Sequence, residues 1–211
     1  NPVAVSYAYV SKEETVLFIN PKKLTSEISD YLKAEGVTIA EYDKVFDYVS
    51  KLKTPVCLDA NKVTFKLYNT IPDGCRIIDM PSPADLMKSI KNDTEVQGIR
   101  NAMERDGVAL VHFFMWLEKA VPGGNVTEIM IPEKLVEYRS QQKNFVGESF
   151  DTISGYGPNG AIVHYHVSNE SSLPVKPEGL LLVDSGAQYF DGTTDITRTL
   201  AVGPLTDQMK K

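Results

Sequence analysis

A run of four apolar residues, 180–183, ends abruptly at Asp184, and this junction constrains the fold more than any other feature of the sequence. Such a run predicts a buried strand. A carboxylate placed directly after a buried strand is costly unless a partner neutralises it, and a bound divalent cation is one such partner. A second carboxylate, Asp195, follows eleven positions later, on the expected returning strand. A structural aspartate at a strand end and a turn-stabilising aspartate would explain the same residues without a metal.

The turn between these two strands decides whether the carboxylates can meet. Residues 191–192, Asp-Gly, predict a two-residue hairpin turn. In an ideal hairpin with this turn, Asp195 faces Gln188, and Asp184 lies about 13 Å further along the strand. The carboxylates then converge only if the ladder is bent or bulged, for which Gly186 is the natural place. Spacing alone therefore leaves both the metal site and the structural interpretation open.

Composition excludes several classes of partner. The 211 residues carry a formal net charge of −6, which argues against a nucleic-acid-binding surface because such a surface needs a basic excess. No segment approaches the roughly 18 consecutive apolar residues of a membrane helix, so we expect no membrane partner. The two cysteines, Cys57 and Cys75, are too few for a disulfide framework. We interpret both as reduced and partly buried, which favours a cytoplasmic location.

The two halves of the chain have different patterns. In residues 1–86, short apolar runs with strand character alternate with helical patterns, which predicts a small α/β unit. In residues 87–211, two helices precede several strands, which is α+β order. We expect strands over residues 150–153, 161–167, 180–183 and 196–202.

A long helix opens the second half. Thr94 and Gln97 predict its capping box, and the glycines after Pro122 predict its end. Between them, large apolar residues recur at helical spacing and predict one buried face. The predicted face consists of Val96, Ile99, Met103, Leu110, Phe114, Leu117 and Val121.

Residues 184–199 carry a specific resemblance. Their order, Asp-Ser-Gly-Ala-Gln-Tyr and then Asp-Gly-Thr-Thr-Asp-Ile-Thr-Arg-Thr from residue 191, resembles the metal-site hairpin of eukaryotic-type Xaa-Pro aminopeptidases (aminopeptidase P), which have the pita-bread fold. Residues 157–165, Gly-Pro-Asn-Gly-Ala-Ile-Val-His-Tyr, resemble the substrate-site strand of the same family. Residues 1–3, 116–118 and 126–129 add weaker support. The resemblance thus extends over nearly the whole chain.

The resemblance implies roles for individual residues. Asp184 and Asp195 match two aspartate ligands of a site for two divalent metal ions, usually manganese in this family. His164 matches a histidine expected to hydrogen-bond near the scissile carbonyl or the tetrahedral intermediate. The family motif does not require His166, but this residue would share a face with His164 on a regular strand and could line the substrate channel. Arg198 is expected to brace the hairpin. The implied partners are a peptide with proline in second position and, for the parent protein, a second copy in a homodimer.

The resemblance also implies a domain assignment. Residues 1–86 would be the C-terminal part of a noncatalytic creatinase-N-like α/β domain, and residues 87–211 the N-terminal half of a pita-bread metallopeptidase domain. The chain begins without Met and ends in what reads as a helix barely begun, so we expect it to be truncated at both ends. The remaining ligands of the family, one His and two Glu, lie downstream of the hairpin, and no histidine follows Asp195. We therefore expect activity in the parent protein and an inactive isolated fragment.

Two alternatives remain open from the sequence. A prolidase or a creatinase would share the fold and the aspartates. A peptide-binding pita-bread module without catalysis would share the fold, but the histone-chaperone relatives of that kind usually lose the aspartates. The presence of both Asp184 and Asp195 therefore favours an enzyme.

Overall fold

The structure, a computed structural model, describes residues 3–210. It divides into two compact units, of which the first ends at Ile90 and the second begins at Lys91. Each unit has a hydrophobic core of its own. Within the described residues no helix is long and apolar enough to cross a membrane.

The first unit alternates short strands and helices around two small sheets. β1 and β2 form a hairpin, and β3 pairs parallel with β2 after the crossover through α1. β4 and β5 form a separate parallel pair. The elements are β1 (Ser6–Val10), β2 (Thr15–Ile19), α1 (Ser26–Ala34), β3 (Val37–Ala40), α2 (Lys44–Val49), β4 (Val56–Leu58), α3 (Phe65–Thr70), β5 (Ile77–Asp79) and α4 (Pro83–Ser89).

The core of the first unit lies between these sheets and helices. β2 supplies Val16 and Phe18, and α2 supplies Val45 and Val49. Cys75 is buried in the same core and Cys57 is exposed, and both are free thiols. The expectation that both cysteines are partly buried is therefore wrong.

Among its described residues, the second unit contains two α-helices and six strands. β8 pairs with β7 on one side and β11 on the other, and β9 pairs with β6 and β10. All of these pairs are antiparallel. The elements are α5 (Asp93–Ala120), α6 (Met130–Ser140), β6 (Phe145–Glu148), β7 (Ile153–Tyr156), β8 (Leu180–Ser185), β9 (Ala187–Tyr189), β10 (Gly192–Thr193) and β11 (Ile196–Ala201).

The capping residue of α5 differs from the predicted one. Asn92 is the N-cap: its side chain accepts a hydrogen bond from the Glu95 amide, and the Glu95 carboxylate accepts one from the Asn92 amide, both at 2.9 Å. The predicted box of Thr94 and Gln97 is wrong, because the asparagine box satisfies the first free amides of the helix two residues earlier.

The buried face of α5 also differs from prediction. Ile99 and Met103 remain 37% and 41% exposed, and the residues buried along this part of the helix are small or polar. They include Gly98, Ala102 and Asp106. Small side chains let another segment approach the helix closely, and periodicity counted on large apolar residues does not detect them.

Two strands predicted in the second unit are not found at their predicted positions. Residues 157–161 form a short 3-10 helix, and the chain turns again at His164, whose φ is 53°. The expected strand over residues 161–167 is therefore wrong. The strand expected over residues 150–153 overlaps β7 at Ile153 alone, and residues 150–152 lie between β6 and β7. The chain was expected to end in the first residues of a helix. Residues 207–210 form a turn, and Lys211 lies outside the described residues.

Candidate metal and substrate site

The hairpin from β8 to β11 has a different turn from the predicted one. Gly192 pairs with Tyr189, so residues 190–191 form the two-residue loop. Ile196 pairs with Ser185 in the same register. Asp195 therefore comes opposite Gly186, not opposite Gln188, and lies two positions nearer to Asp184 than the sequence predicted. The predicted turn at residues 191–192 is wrong by one position.

This register places both carboxylates on one face of the hairpin. Asp184 lies directly opposite Thr197. Directly opposite residues of an antiparallel pair share a face, and so do residues two apart on one strand. Asp195, two residues before Thr197, therefore shares the face of Asp184. Both side chains line one cleft of about 440 Å³, called here the Asp184 cleft, with Phe150, Asp151, Ile153, His164 and His166.

Gly186 is required for packing between the strands. A Cβ at this position would overlap the Thr194 carbonyl oxygen and the Ser149 hydroxyl. The Ser149 amide donates to the Gly186 carbonyl at 3.1 Å, and its hydroxyl donates to the Thr194 carbonyl at 2.9 Å. The register does not shift at Gly186, so convergence of the carboxylates needs no bulge there.

The charges of the two carboxylates favour a cation. Asp184 is half-buried and accepts a hydrogen bond from the Thr197 hydroxyl at 2.7 Å, while Asp195 is exposed. Among residues 3–210, no basic side chain forms an ion pair with either of them. Carboxylate oxygens suit hard divalent ions, so this pair fits one end of a metal site. Within the described chain no three or more His, Cys, Asp or Glu side chains are placed together closely enough to hold a metal ion.

His164 and His166 face the cleft from a loop. Tyr165 between them is buried, and its hydroxyl lies 3.0 Å from the Ser171 hydroxyl and 3.2 Å from the Glu128 carboxylate. The pKa of Tyr165 is raised above its usual value, chiefly by burial. The hydrogen bond with Ser171 offsets part of this rise, and the charge of Glu128 adds to it. The two histidines thus meet at one cleft although the strand expected to align them is absent.

Glu128 anchors this loop and was not predicted as a functional residue. Its carboxylate is fully buried and accepts hydrogen bonds from the Tyr156 amide at 2.6 Å and the Leu173 amide at 2.7 Å. The Asn159 side chain donates to both carboxylate oxygens at 3.1 Å. Glu128 lies within residues 126–129, whose resemblance to the family was the one available signal.

Of two further charged residues, Asp151 and Arg198, only Asp151 lines the Asp184 cleft. Asp151 lines the cleft as a third carboxylate, and no motif in the sequence pointed to it. Arg198 is exposed and donates to the carbonyl of its neighbour Thr197 at 2.8 Å. Its bracing contact is therefore local to β11. His112, on α5, stacks edge-on against Tyr138 and does not line the cleft.

Comparison with known proteins places the chain in a family. Residues 1–95 match the Creatinase/Prolidase N-terminal domain, and residues 97–211 match Metallopeptidase family M24. The chain belongs to metallopeptidase family M24. The resemblance expected from residues 157–165 and 184–199 is thereby confirmed.

Curated relatives match over nearly the whole chain. A probable Xaa-Pro aminopeptidase P of Botryotinia fuckeliana is 38% identical over all of this chain and 34% of its own length. Aminopeptidase P2 of Arabidopsis thaliana is 37% identical over 95% of this chain and 33% of its own. The chain thus spans about a third of the length of the curated relatives it matches.

Solved structures of this family share the fold. The X-prolyl aminopeptidase of Caenorhabditis elegans, described as a cytosolic enzyme with a di-nuclear active site, aligns with a TM-score of 0.89 and 33% identity. The alignment covers 99% of this chain and 36% of the other. The X-Pro aminopeptidase of Thermotoga maritima aligns with a TM-score of 0.67 at 23% identity and shows the fold alone. The predicted α+β fold of the pita-bread type is confirmed.

Proposed function

We propose that the protein containing this chain is a metal-dependent aminopeptidase that releases the N-terminal residue from peptides with proline in second position. The observation that carries the proposal is the Asp184 cleft, where two carboxylates on neighbouring strands face two histidines. The names of the matched relatives, Xaa-Pro aminopeptidase P and X-prolyl aminopeptidase, support the substrate class. The proline requirement rests on those relatives.

Asp184 and Asp195 are proposed as ligands of two divalent ions, with manganese as the expected metal. When bound, such ions would polarise a carbonyl oxygen and lower the pKa of a water molecule that they bind, so that this water could act as a nucleophile at neutral pH. The di-nuclear site of the Caenorhabditis elegans relative supports this number of ions. Two carboxylates cannot hold two ions in a closed geometry, so the proposal requires further ligands from outside the described residues.

His164 is proposed to donate a hydrogen bond to the scissile carbonyl oxygen as negative charge develops there. A donor placed at that oxygen stabilises the transition state more than the bound substrate. His166 is proposed to line the channel for the peptide. The hydrogen bond between Tyr165 and Glu128 fixes the loop that carries both histidines, so the backbone of the loop is held at the cleft before substrate binds.

Three further properties are proposed for the whole protein. Its location is the cytoplasm, supported by the cytosolic description of the Caenorhabditis elegans relative and by the free thiols of Cys57 and Cys75. Residues 1–86 belong to a noncatalytic domain, and residues 87–211 form the N-terminal half of the catalytic domain. The expected homodimer stays a prediction.

The test is a hydrolysis assay on the full-length protein. After metal removal by a chelator, manganese is added back, and release of alanine from Ala-Pro-Ala is compared with release from Ala-Ala-Ala. We expect manganese-dependent release from the proline peptide only. Asp195→Asn should lower the rate by about 100-fold or more, because it removes a charged ligand. Asp207→Asn is the matched control, since that side chain is 97% exposed.

Other outcomes separate the alternatives. Hydrolysis of the dipeptide Ala-Pro without hydrolysis of the tripeptide would favour a prolidase. Peptide binding measured by calorimetry, with no hydrolysis at any manganese concentration, would favour a noncatalytic module. An Asp195→Asn protein with the wild-type rate would contradict the proposed site.

A further inference from the structure

A fully buried ion pair lies behind the hairpin that carries Asp184 and Asp195. The Arg139 guanidinium, from α6, donates to both carboxylate oxygens of Asp106, from α5, at 2.8 and 3.1 Å. Both side chains have zero exposure. Neither residue lines the Asp184 cleft. Nothing in the sequence patterns marked this pair as functional.

The ion pair binds the first strand of the hairpin next to Asp184. Arg139 donates through Nη2 to the Ser185 hydroxyl at 3.1 Å and through Nη1 to the Gly186 carbonyl at 3.2 Å. Ser185 follows Asp184 directly and points to the opposite face, as neighbouring residues of a strand do. Arg139 therefore holds the backbone of Asp184 from the side away from the cleft.

The same ion pair binds the second strand next to Asp195. The Thr194 hydroxyl donates to Asp106 Oδ2 at 2.8 Å and accepts a hydrogen bond from the Ala187 amide at 2.9 Å. Tyr189, on β9, also donates to Asp106, at 3.1 Å. Thr194 precedes Asp195 directly, so the backbone of Asp195 is held from behind as well.

A merely structural role explains this arrangement poorly. Replacing a buried ion pair by apolar side chains is often neutral or stabilising, so such a pair is weak evidence for stability. Here the polar contacts converge on Ser185, Gly186 and Thr194, the residues that flank the two carboxylates in sequence. Partners outside the ligand shell that orient metal ligands commonly contribute about 10–100-fold to metal affinity.

We propose that Asp106 and Arg139 are positioning residues that hold Ser185 and Thr194 and so set the separation of Asp184 and Asp195 for metal binding. This inference rests on the proposed function only in taking Asp184 and Asp195 as metal ligands. Asp106 and Arg139 themselves touch neither metal nor substrate. Substitution of Thr194 removes one contact of the ion pair while both charged side chains stay in place.

The experiment measures manganese affinity by calorimetry on the full-length protein, together with thermal unfolding in chelator. Thr194→Val keeps the side-chain shape and removes the hydroxyl, and we expect about tenfold weaker manganese binding. Thr194→Ser restores the hydroxyl and should bind as the wild type does. Asn92→Ala is the matched control: it removes the cap of α5, the helix that carries Asp106, and should lower stability without changing manganese affinity.

The outcomes decide the inference independently of hydrolysis. Wild-type affinity in Thr194→Val, or equal losses of affinity in Thr194→Val and Asn92→Ala, would overturn it. If Thr194→Val does not fold, Ser185→Ala is judged by the same criterion. A wild-type protein that binds manganese but hydrolyses no peptide refutes the proposed function and leaves this inference standing or falling on its own measurement. A wild-type protein that binds no manganese overturns both.

Discussion

The Thr197 hydroxyl donates a hydrogen bond to Asp184 Oδ1 at 2.7 Å across the β8–β11 ladder. Because the two residues are directly opposite, the hydroxyl occupies one carboxylate oxygen and directs the other. Asp195 lies on the same face two residues before Thr197. The hydrogen bond therefore orients one proposed metal ligand relative to the other.

Removal of this hydroxyl should weaken metal binding. Thr197→Val keeps the shape of the side chain, and we expect about tenfold lower manganese affinity because Asp184 loses the partner that fixes its orientation. Calorimetric titration of the full-length protein measures the change. Thr199→Val, on the same strand and face but opposite Leu182, is the control. Equal affinities for the two variants would contradict the orienting role.

The two histidines of the cleft should differ in their kinetic effects. His164→Ala removes the proposed donor to the carbonyl oxygen, and we expect kcat to fall by about 100-fold or more. His166→Ala removes a channel residue that contacts bound peptide equally before and during reaction, so KM should rise with little change in kcat. Steady-state kinetics at saturating manganese separate the two. The assignment fails if His166→Ala lowers kcat as much as His164→Ala does.

The sequence predicted that both carboxylates lie on one hairpin but gave the wrong register between its two strands. The apolar run at 180–183 and the returning strand were correct, but the turn was placed at residues 191–192. Asp-Gly is a strong turn signal, yet β10 begins at Gly192. Gly192 packs closely against α5, since a Cβ added to it would lie 2.8 Å from the Cβ of Ala102. Tertiary packing against α5 thus selects the register, and local turn preference does not reveal it.

Contacts far apart in sequence explain the other misses. Glu128 and Asp106 are buried acids whose carboxylates have partners 28 or more residues away, so no local pattern pairs them. The loop at His164 reads as a strand because its residues are apolar and β-branched. Its actual path depends on Glu128 holding the Tyr156 and Leu173 amides, which only the folded chain brings together.

Neutralising Glu128 should destabilise the second unit. Glu128→Gln replaces an acceptor by an amide group that donates, so a buried donor such as the Leu173 amide or Asn159 loses its partner. We expect a loss of about 2–3 kcal/mol in the free energy of unfolding. Denaturant unfolding of the full-length protein measures it, with the exposed Glu104→Gln as the control, for which a change within about 0.5 kcal/mol is expected. Equal stabilities would contradict the anchoring role.

Tyr189 should make stability fall at high pH. Burial raises the pKa of its phenol, and the charge of Asp106 raises it further, while Arg139 and Arg105 lower it. An unfolded tyrosine loses its proton at about pH 10, whereas the folded Tyr189 still retains its proton at that pH. Its contribution is therefore complete below about pH 10 and is lost as the pH rises from there through the folded pKa. Denaturant unfolding at several pH values between about 9 and 11 should show a steeper decline for wild type than for Tyr189→Phe; parallel curves would count against this effect.

Two glycines of α5 should respond in opposite directions to the same substitution. A Cβ at Gly98 would overlap the Asp191 carbonyl oxygen, because the hairpin loop packs directly on the helix there. Gly98→Ala should therefore cost about 1–3 kcal/mol in the free energy of unfolding. At Gly107 no heavy atom lies within 4 Å of an added Cβ, so Gly107→Ala should gain about 1 kcal/mol from helix propensity.

Manganese affinity distinguishes the position of Gly98 from a general helix effect. If the contact with residue 191 holds the hairpin against α5, Gly98→Ala should weaken manganese binding as well as lower stability, because the same hairpin carries Asp184 and Asp195. Gly107→Ala should leave the affinity unchanged. Denaturant unfolding and calorimetric titration of both variants test the pair, and stabilisation by Gly98→Ala would show that the hairpin does not pack on the helix as described.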